Sequence, residues 1–469
     1  MRKVTLACII ALASLTLFAS EVDFVPKDYD FFVFFKGNGL FYPQLLEVPL
    51  FSFLLSDNGM GLESVFKSYI ENVSYTSGVD SRVFLDALSQ DILFAAKGLT
   101  FVPDQLFSLD MNYYIELLRN LGLNSLLVLK TDEPEALVHF LAGITNLKLV
   151  KNGEIWVLQD TDVAIFAMPY ENFLLLSGSK NGINIAISSY ENPEERLSSE
   201  YPVVANAEAN ASWISAFFKG DSFGAELNIN FNTANIRTRY VEITGTLNGE
   251  TLQFEIEQVL ENSGETEKYV SSVRTMLSKP FIGSFVFSAT ASGPSDLAQE
   301  IASWFRGASE EIKKIYEIVS AILQQSEGRV HLTGDVGAAS EIRFAAIFKL
   351  KKGADPIALI RKYGARDFGD GEWRMPTNSD QISFFRNGED FVMTNLSRAD
   401  YLRLSEKRKL KDDTAYVYIS RNAPEHDVMR TYVDLGTVIE RMLGIKANSR
   451  LLLIQTASDS GFVYYLEVM

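Results

Sequence analysis

Three histidines, one cysteine and a knot of acids among glycines are the residues of this chain best suited to metal, nucleophilic or acid–base chemistry. The histidines are His139 in ALVHFL, His331 in RVHLT and His426 in APEHDVM. A zinc site needs ligands at set spacings, such as two histidines at i, i+4 or paired cysteines. None of the three has such a neighbour, and His426 stands between acids, as at a solvated helix start. Residues 367–372, DFGDGE, concentrate three acids. A calcium loop of the EF-hand kind needs acids at alternating positions closed by a distant Glu, which Asp367 and Asp370 do not supply. The stretch therefore predicts a tight turn.

Other strings resemble catalytic motifs without their context. DFG occurs without a catalytic-loop H-R-D or a Gly-rich loop. SGSK at 177–180 fits Ser-x-x-Lys and SDN occurs at 56–58. In penicillin-recognising enzymes Ser-x-x-Lys comes first and opens a helix, whereas Ser177 ends a strand pattern and no K-T-G is present. There is no Walker loop, no G-x-G-x-x-G and no G-x-S-x-G. The sequence thus assigns no catalytic, cofactor-binding or metal residue. A carboxylate pair of the glycosidase kind leaves no sequence signature, so a carboxylate-based hydrolase stays as one alternative.

The most unusual composition is apolar. Residues 40–59 read LFYPQLLEVPLFSFLLSDNG. Pro43, Glu47 and Pro49 exclude a transmembrane helix. Two readings follow. The stretch is extra core or an interface between halves of the molecule, or it is a groove or lid for an apolar ligand or a hydrophobic partner. On the second reading the contacts are Phe41, Leu45, Phe51, Phe53 and Leu54.

The elements that must position these residues recur along the chain. NGEIWVLQD (152–160) is echoed by DGEWRMP (370–376). FLLLSGS (173–179) is echoed by FVMTNLS (391–397), LKTDEPEAL (129–137) by KKGADPIAL (351–359), and LSQDILFAAKG (88–98) by LQQSEGRVHLTGD (323–335). In the second pair each Pro follows an acid and opens a helical pattern. VPKDYDFFVFF, from Val25, is matched by KPFIGSFVFSA, from Lys279. Each half closes on a hairpin pattern, the first with Asn248-Gly249 as its turn and the second turning near 459–461. The pattern predicts two related copies, 21–265 and 278–469, joined by a linker at 266–277.

Strands such as AYVYIS (415–420) and LQFEIEQV (252–259) alternate, which favours antiparallel sheet. The clearest helix is 296–324, with Ile312, Ile315, Val319 and Ile322 on one stripe and Tyr316 and Leu323 beside it. The fold class expected is α+β: two copies, each a largely antiparallel sheet with helices packed on one face. In this scheme Gly-Glu-Trp is a hairpin turn followed by a core-packing tryptophan.

The succession of a strand after P-x-D, a helix running into a strand (DALSQDILFAA, from Asp86), an acid-Pro helix (VLKTDEPEALVHFL, from Val128) and FLLLSGS resembles the exported bacterial family called domain of unknown function 3352. The resemblance covers most of the first copy and is looser in the second. It implies an envelope location and a style of fold, and it brings no site residues.

Residues 1–19 read as a signal peptide: Arg2 and Lys3, then an apolar run from Val4 to Phe18 too short to span a bilayer comfortably. Cleavage after Ala19 fits best, and an uncleaved anchor is the competing reading. Cys8 lies inside this segment, so the mature chain has no thiol or disulfide chemistry. Removing it takes away two cations and no acid, making the formal net charge of −17 still more negative. Such a surface disfavours nucleic acid.

The sequence therefore predicts a protein exported to the periplasm or envelope of a bacterium. It has no cofactor and no membrane span once the signal is removed, and it serves as a non-enzymatic binding or scaffold module for an unknown protein or apolar ligand. A carrier or sensor of a lipid-like ligand is the first alternative. Oligomeric state is left open.

Overall fold

The computed structural model describes residues 20–98, 122–161, 163–220, 237–262, 266, 277–290, 310–336, 342–376, 381–406, 409–424 and 427–469. The signal segment, His426, most of the linker and the first part of the 296–324 helix lie outside them.

Among the described residues twenty strands form one sheet, and all its ladders are antiparallel. The strands of the first half are β1 (Phe31–Phe35), β2 (Ile92–Ala96), β3 (Ser125–Lys130), β4 (Lys148–Asn152), β5 (Ile155–Gln159), β6 (Ala164–Tyr170), β7 (Phe173–Ser177), β8 (Ile214–Lys219), β9 (Thr238–Asn248) and β10 (Thr251–Leu260). Those of the second are β11 (Phe285–Thr290), β12 (Ser326–Val336), β13 (Ile342–Leu350), β14 (Arg366–Asp367), β15 (Glu372–Pro376), β16 (Gln381–Asn387), β17 (Asp390–Thr394), β18 (Met429–Val433), β19 (Leu451–Ala457) and β20 (Gly461–Val468).

The halves meet where β10 pairs with β20, from Leu252↔Val468 to Val259↔Gly461. Outward from that seam the first half runs β10-β9-β8-β1-β2-β3-β7-β6-β5-β4. The second runs β20-β19-β18-β11-β12-β13-β17-β16-β15-β14.

Among the described residues the helices of six residues or more are α1 (Asn38–Leu45), α2 (Pro49–Leu55), α3 (Leu62–Ser77), α4 (Ser81–Ser89), α5 (Pro134–Thr145), α6 (Lys180–Glu191), α7 (Glu310–Gln324), α8 (Pro356–Lys362), α9 (Arg398–Ser405), α10 (Thr414–Ile419) and α11 (Leu435–Leu443). Their starts follow capping chemistry. Pro134 and Pro356 open α5 and α8, and Asp355 accepts from Ala358 N at 3.2 Å. Asp80, Ser179, Ser397 and Asp434 cap α4, α6, α9 and α11 in the same manner.

Helices cover both faces of the sheet, not one as the sequence suggested. On β3 and β7, Leu126, Val128, Phe173 and Leu175 pack toward Ile183 and Ala186 of α6. Leu129, Leu174 and Leu176 pack toward α4 and α5 on the other side. In the second half α7 and α8 pack on one side, and α9 packs with Phe385, Val392 and Ala345 on the other. The physical cause is in the strands themselves: FLLLS is buried at all five positions, the near-continuous apolar run of a strand covered twice.

A second correction concerns 415–420, which alternates on paper yet forms α10. Asp413 accepts hydrogen bonds from Ala415 N and Tyr416 N and so nucleates a helix. Tyr416 and Ile419, spaced i, i+3, then point inward while Val417 and Tyr418 are exposed.

Both hairpin expectations hold: β9 turns into β10 at Asn248-Gly249, with Gly249 at φ 58°, and β19 turns into β20 across 458–460.

Candidate functional site

The apolar stretch 40–55 folds into α1 and α2, ahead of the long α3. Gly37, at a left-handed φ of 55°, turns the chain out of β1, and its N–H is held by Asp91 Oδ1 at 2.6 Å. Phe41 stacks on Trp213, with ring centroids 6.3 Å apart. The indole N–H of Trp213 donates to Asn38 Oδ1 at 2.8 Å. Leu45 and Val48 are buried. Of the five candidate contacts, then, Leu45 is core and Phe41 is a half-buried anchor.

The other three share Phe41's partial burial. α2 reads PLFSFLL, and none of its residues is buried. Phe51, Phe53 and Leu54 are all half-buried. Water-facing apolar surface forgoes roughly 1.5–3 kcal/mol for each large side chain that could have been covered.

The helix that follows continues the pattern. Leu62, Val65, Phe66, Tyr69, Ile70 and Val73 form one apolar stripe along α3. Its last turns are covered by α5: Ile70 and Val73 are buried with Phe140, and Gly143 lets the two helices approach closely. Its first two turns overhang. Val65 is 67% exposed, and Leu62, Phe66 and Tyr69 are exposed as well. Met60, just ahead of α3, and Leu40 of α1 add to the uncovered apolar surface. The α3 stripe is legible in the sequence by its i, i+3, i+4, i+7 spacing, but the denser apolar run at 40–55 just before it overshadows that signal.

A second feature lies at the seam. A cavity of about 240 Å³ opens there. Thr244, Thr246, Gln253 and Glu255 line it on one side, Leu452 and Ile454 on the other, and residues 422–424 border it. Glu467, in its wall, is raised above the usual carboxylate range by burial, which the Gln253 amide and Arg421 oppose.

The chemical candidates are scattered. His139 is exposed and packs edge-on against Trp156 at 5.0 Å. His331 is buried between Ser288 Oγ (2.8 Å) and the Pro280 carbonyl (3.0 Å). Residues 367–372 make a hairpin turn with Gly369, Asp370 and Gly371 all at positive φ, and Asp367 Oδ1 accepts from Gly369 N. Ser177 is buried and donates to the Ser125 carbonyl at 2.8 Å. Among the described residues no group of three or more His, Cys, Asp or Glu is placed to hold a metal ion. Trp156 and Trp373 are each the second residue of a hairpin strand, with Lys151 and Arg361 over their faces at 4.5 and 4.3 Å.

Folding also assembles a group of charged residues that no motif announces. Glu21, Asp23, Asp91, Lys130, Arg196 and Glu208 come from five separate parts of the first half to one place.

No family model matches the chain, and no curated protein does. Among solved structures it is similar to "Structure of crystal form I of TP0453", with a TM-score of 0.29 and 11% identity, over 53% of this chain and 81% of that one.

Proposed function

We propose that this is an exported, non-enzymatic binding module whose uncovered helical cap, α1 to α3, seats a hydrophobic partner. The observation that carries the reading is α2, an almost wholly apolar helix with no buried residue. It lies beside an apolar stripe that outruns its own packing. Contiguous exposed apolar surface of this kind marks interaction sites in soluble proteins.

The scaffold belongs to the same proposal. We read the chain as two related copies, which the matching strand order on either side of the seam supports. The distant kinship to the exported family named above goes with it, on the order of its motifs. Export rests on the leader-like residues 1–19.

The test is native mass spectrometry, with lipid extraction, on protein purified from its own envelope fraction, alongside the double variant Phe51→Ser/Phe53→Ser. A bound protein or apolar molecule that the variant loses, at unchanged stability, supports the proposal. A bare mass for both proteins, or cargo kept by the variant, sinks it. A carrier of a small apolar molecule is the second reading, favoured by the seam cavity with Leu452, Ile454 and Leu466 in its wall. Cargo kept by the cap variant but lost on Ile454→Glu would select it.

A further inference from the structure

The charged group in the first half is short of one positive charge. The 3-10 turn Glu21–Phe24 buries the side chain of Glu21 to 3% exposure. Its Oε1 is enclosed without a hydrogen bond, and the Lys130 ammonium stops 3.7 Å away. Lys130 is shared with Asp91, at 3.5 Å. Asp23 pairs with Arg196 Nη1 at 2.7 Å and also accepts from the backbone N–H of Ser20. Glu208 faces Glu21, Asp23 and Asp91. Lys36, whose charge opposes the upward shift of Glu208, spends its ammonium on the Glu208 and Asn210 carbonyls at 2.5 and 3.1 Å. Among the described residues, four carboxylates (Glu21, Asp23, Asp91, Glu208) thus face three cations (Lys36, Lys130, Arg196), with the Tyr190 phenol also beside Asp23.

The shortage has an electrostatic signature. Burial raises Glu21 and Asp23, and burial with the three neighbouring acids pushes Glu208 up to about 7. Burying an unpaired carboxylate is costly unless a cation or a proton neutralises it.

We propose that the chain is cut between Ala19 and Ser20, and that the freed Ser20 ammonium is the missing counter-ion of this group. The cut is hydrolysis: water gives its OH to the Ala19 carbonyl carbon and a hydrogen to Ser20 N, and the new amine takes up a proton near neutral pH. A neutral amide N–H on Asp23 becomes a charged donor there, and four carboxylates face four cations. Ser20 is buried in the folded protein, so a signal peptidase must act before folding. Maturation then completes the fold electrostatically. The inference rests on the export reading above and adds to it where the cut falls and what the new terminus does.

The test separates the two. N-terminal mapping of the protein from its own cells should find Ser20. Retention of residues 1–19 on envelope-bound protein overturns the cut but not export, retention on protein left in the cytoplasm overturns export itself, and a cut elsewhere overturns the assignment of Ser20 alone. Thermal melts at pH 5 and pH 7 should then compare the chain beginning at Ser20 with its N-acetylated form and with one carrying Gly-Ser ahead of Ser20. At pH 7 the free ammonium at Ser20 should melt higher than both by about 2 °C or more. The gap should narrow at pH 5, where Glu208 is protonated, and in Glu208→Gln. Equal melting temperatures at pH 7, or a gap indifferent to both changes, overturn the counter-ion role.

Discussion

His331 is fully buried, and its two ring nitrogens are both taken: Nε2–H donates to the Pro280 carbonyl and Nδ1 accepts from Ser288. Burial lowers its pKa to about 4, with Lys279 adding to the effect and the Pro280 carbonyl opposing it. The folded state therefore refuses a proton that the unfolded chain accepts from about pH 6.5 downward. Stability should fall as the pH drops from about 6.5 to about 4, by roughly 3 kcal/mol in all. Denaturant melts of the wild type and His331→Gln check this; an equal slope in both would disprove the assignment. At the same scale, Arg430 and Asp427 form an ion pair with both side chains almost wholly enclosed, 2.6 Å apart, and Tyr416 joins them. Asp427→Ala should cost about 3–5 kcal/mol in a urea melt, because it strands a buried guanidinium. The sequence placed His331 in a strand, and the structure buries it there, in β12. The sequence could not reveal the Glu21–Glu208 neighbourhood, because residues so far apart in the chain carry no local signal of meeting.

Among elements, α3 offers the sharpest internal contrast, since one apolar stripe is buried at one end and bare at the other. Ile70→Ala should cost about 2–5 kcal/mol, the usual range for truncating a buried aliphatic side chain. Val65→Ser, only five residues earlier, should change stability by less than about 0.5 kcal/mol. Equal costs in urea melts would mean that Val65 is covered by the chain's own residues, and the cap would then be core. Element types were legible wherever turn and capping chemistry agreed with periodicity, as at Asn248-Gly249 and at Pro134 and Pro356. They were misread where the two disagreed. For 415–420 the alternation suggested a strand, but the cap at Asp413 decides for helix. The two-sided cover of the sheet was also written in FLLLS, whose lack of alternation says that both faces are buried.

At the scale of the whole molecule, two hairpins are joined into one sheet by the β10–β20 ladder, and that ladder is the place to test cooperativity. Gly461 pairs with Val259 there, and a Cβ on it would lie 1.9 Å from the Gln258 carbonyl oxygen. Gly461→Ala must therefore push β20 away from β10, at a cost of roughly 1–3 kcal/mol. Each half on its own would end in an exposed long edge strand, β10 or β20, which invites pairing with whatever edge is available. Fragments 20–265 and 277–469 made separately should self-associate, and made together they should combine one to one. Gly461→Ala in the second fragment should weaken that union. Size-exclusion chromatography with light scattering reads all three outcomes. Two fragments that stay monomeric and ignore each other would show that the seam is a contact of convenience, and the two halves would then be independent domains carrying the helical cap on one of them alone.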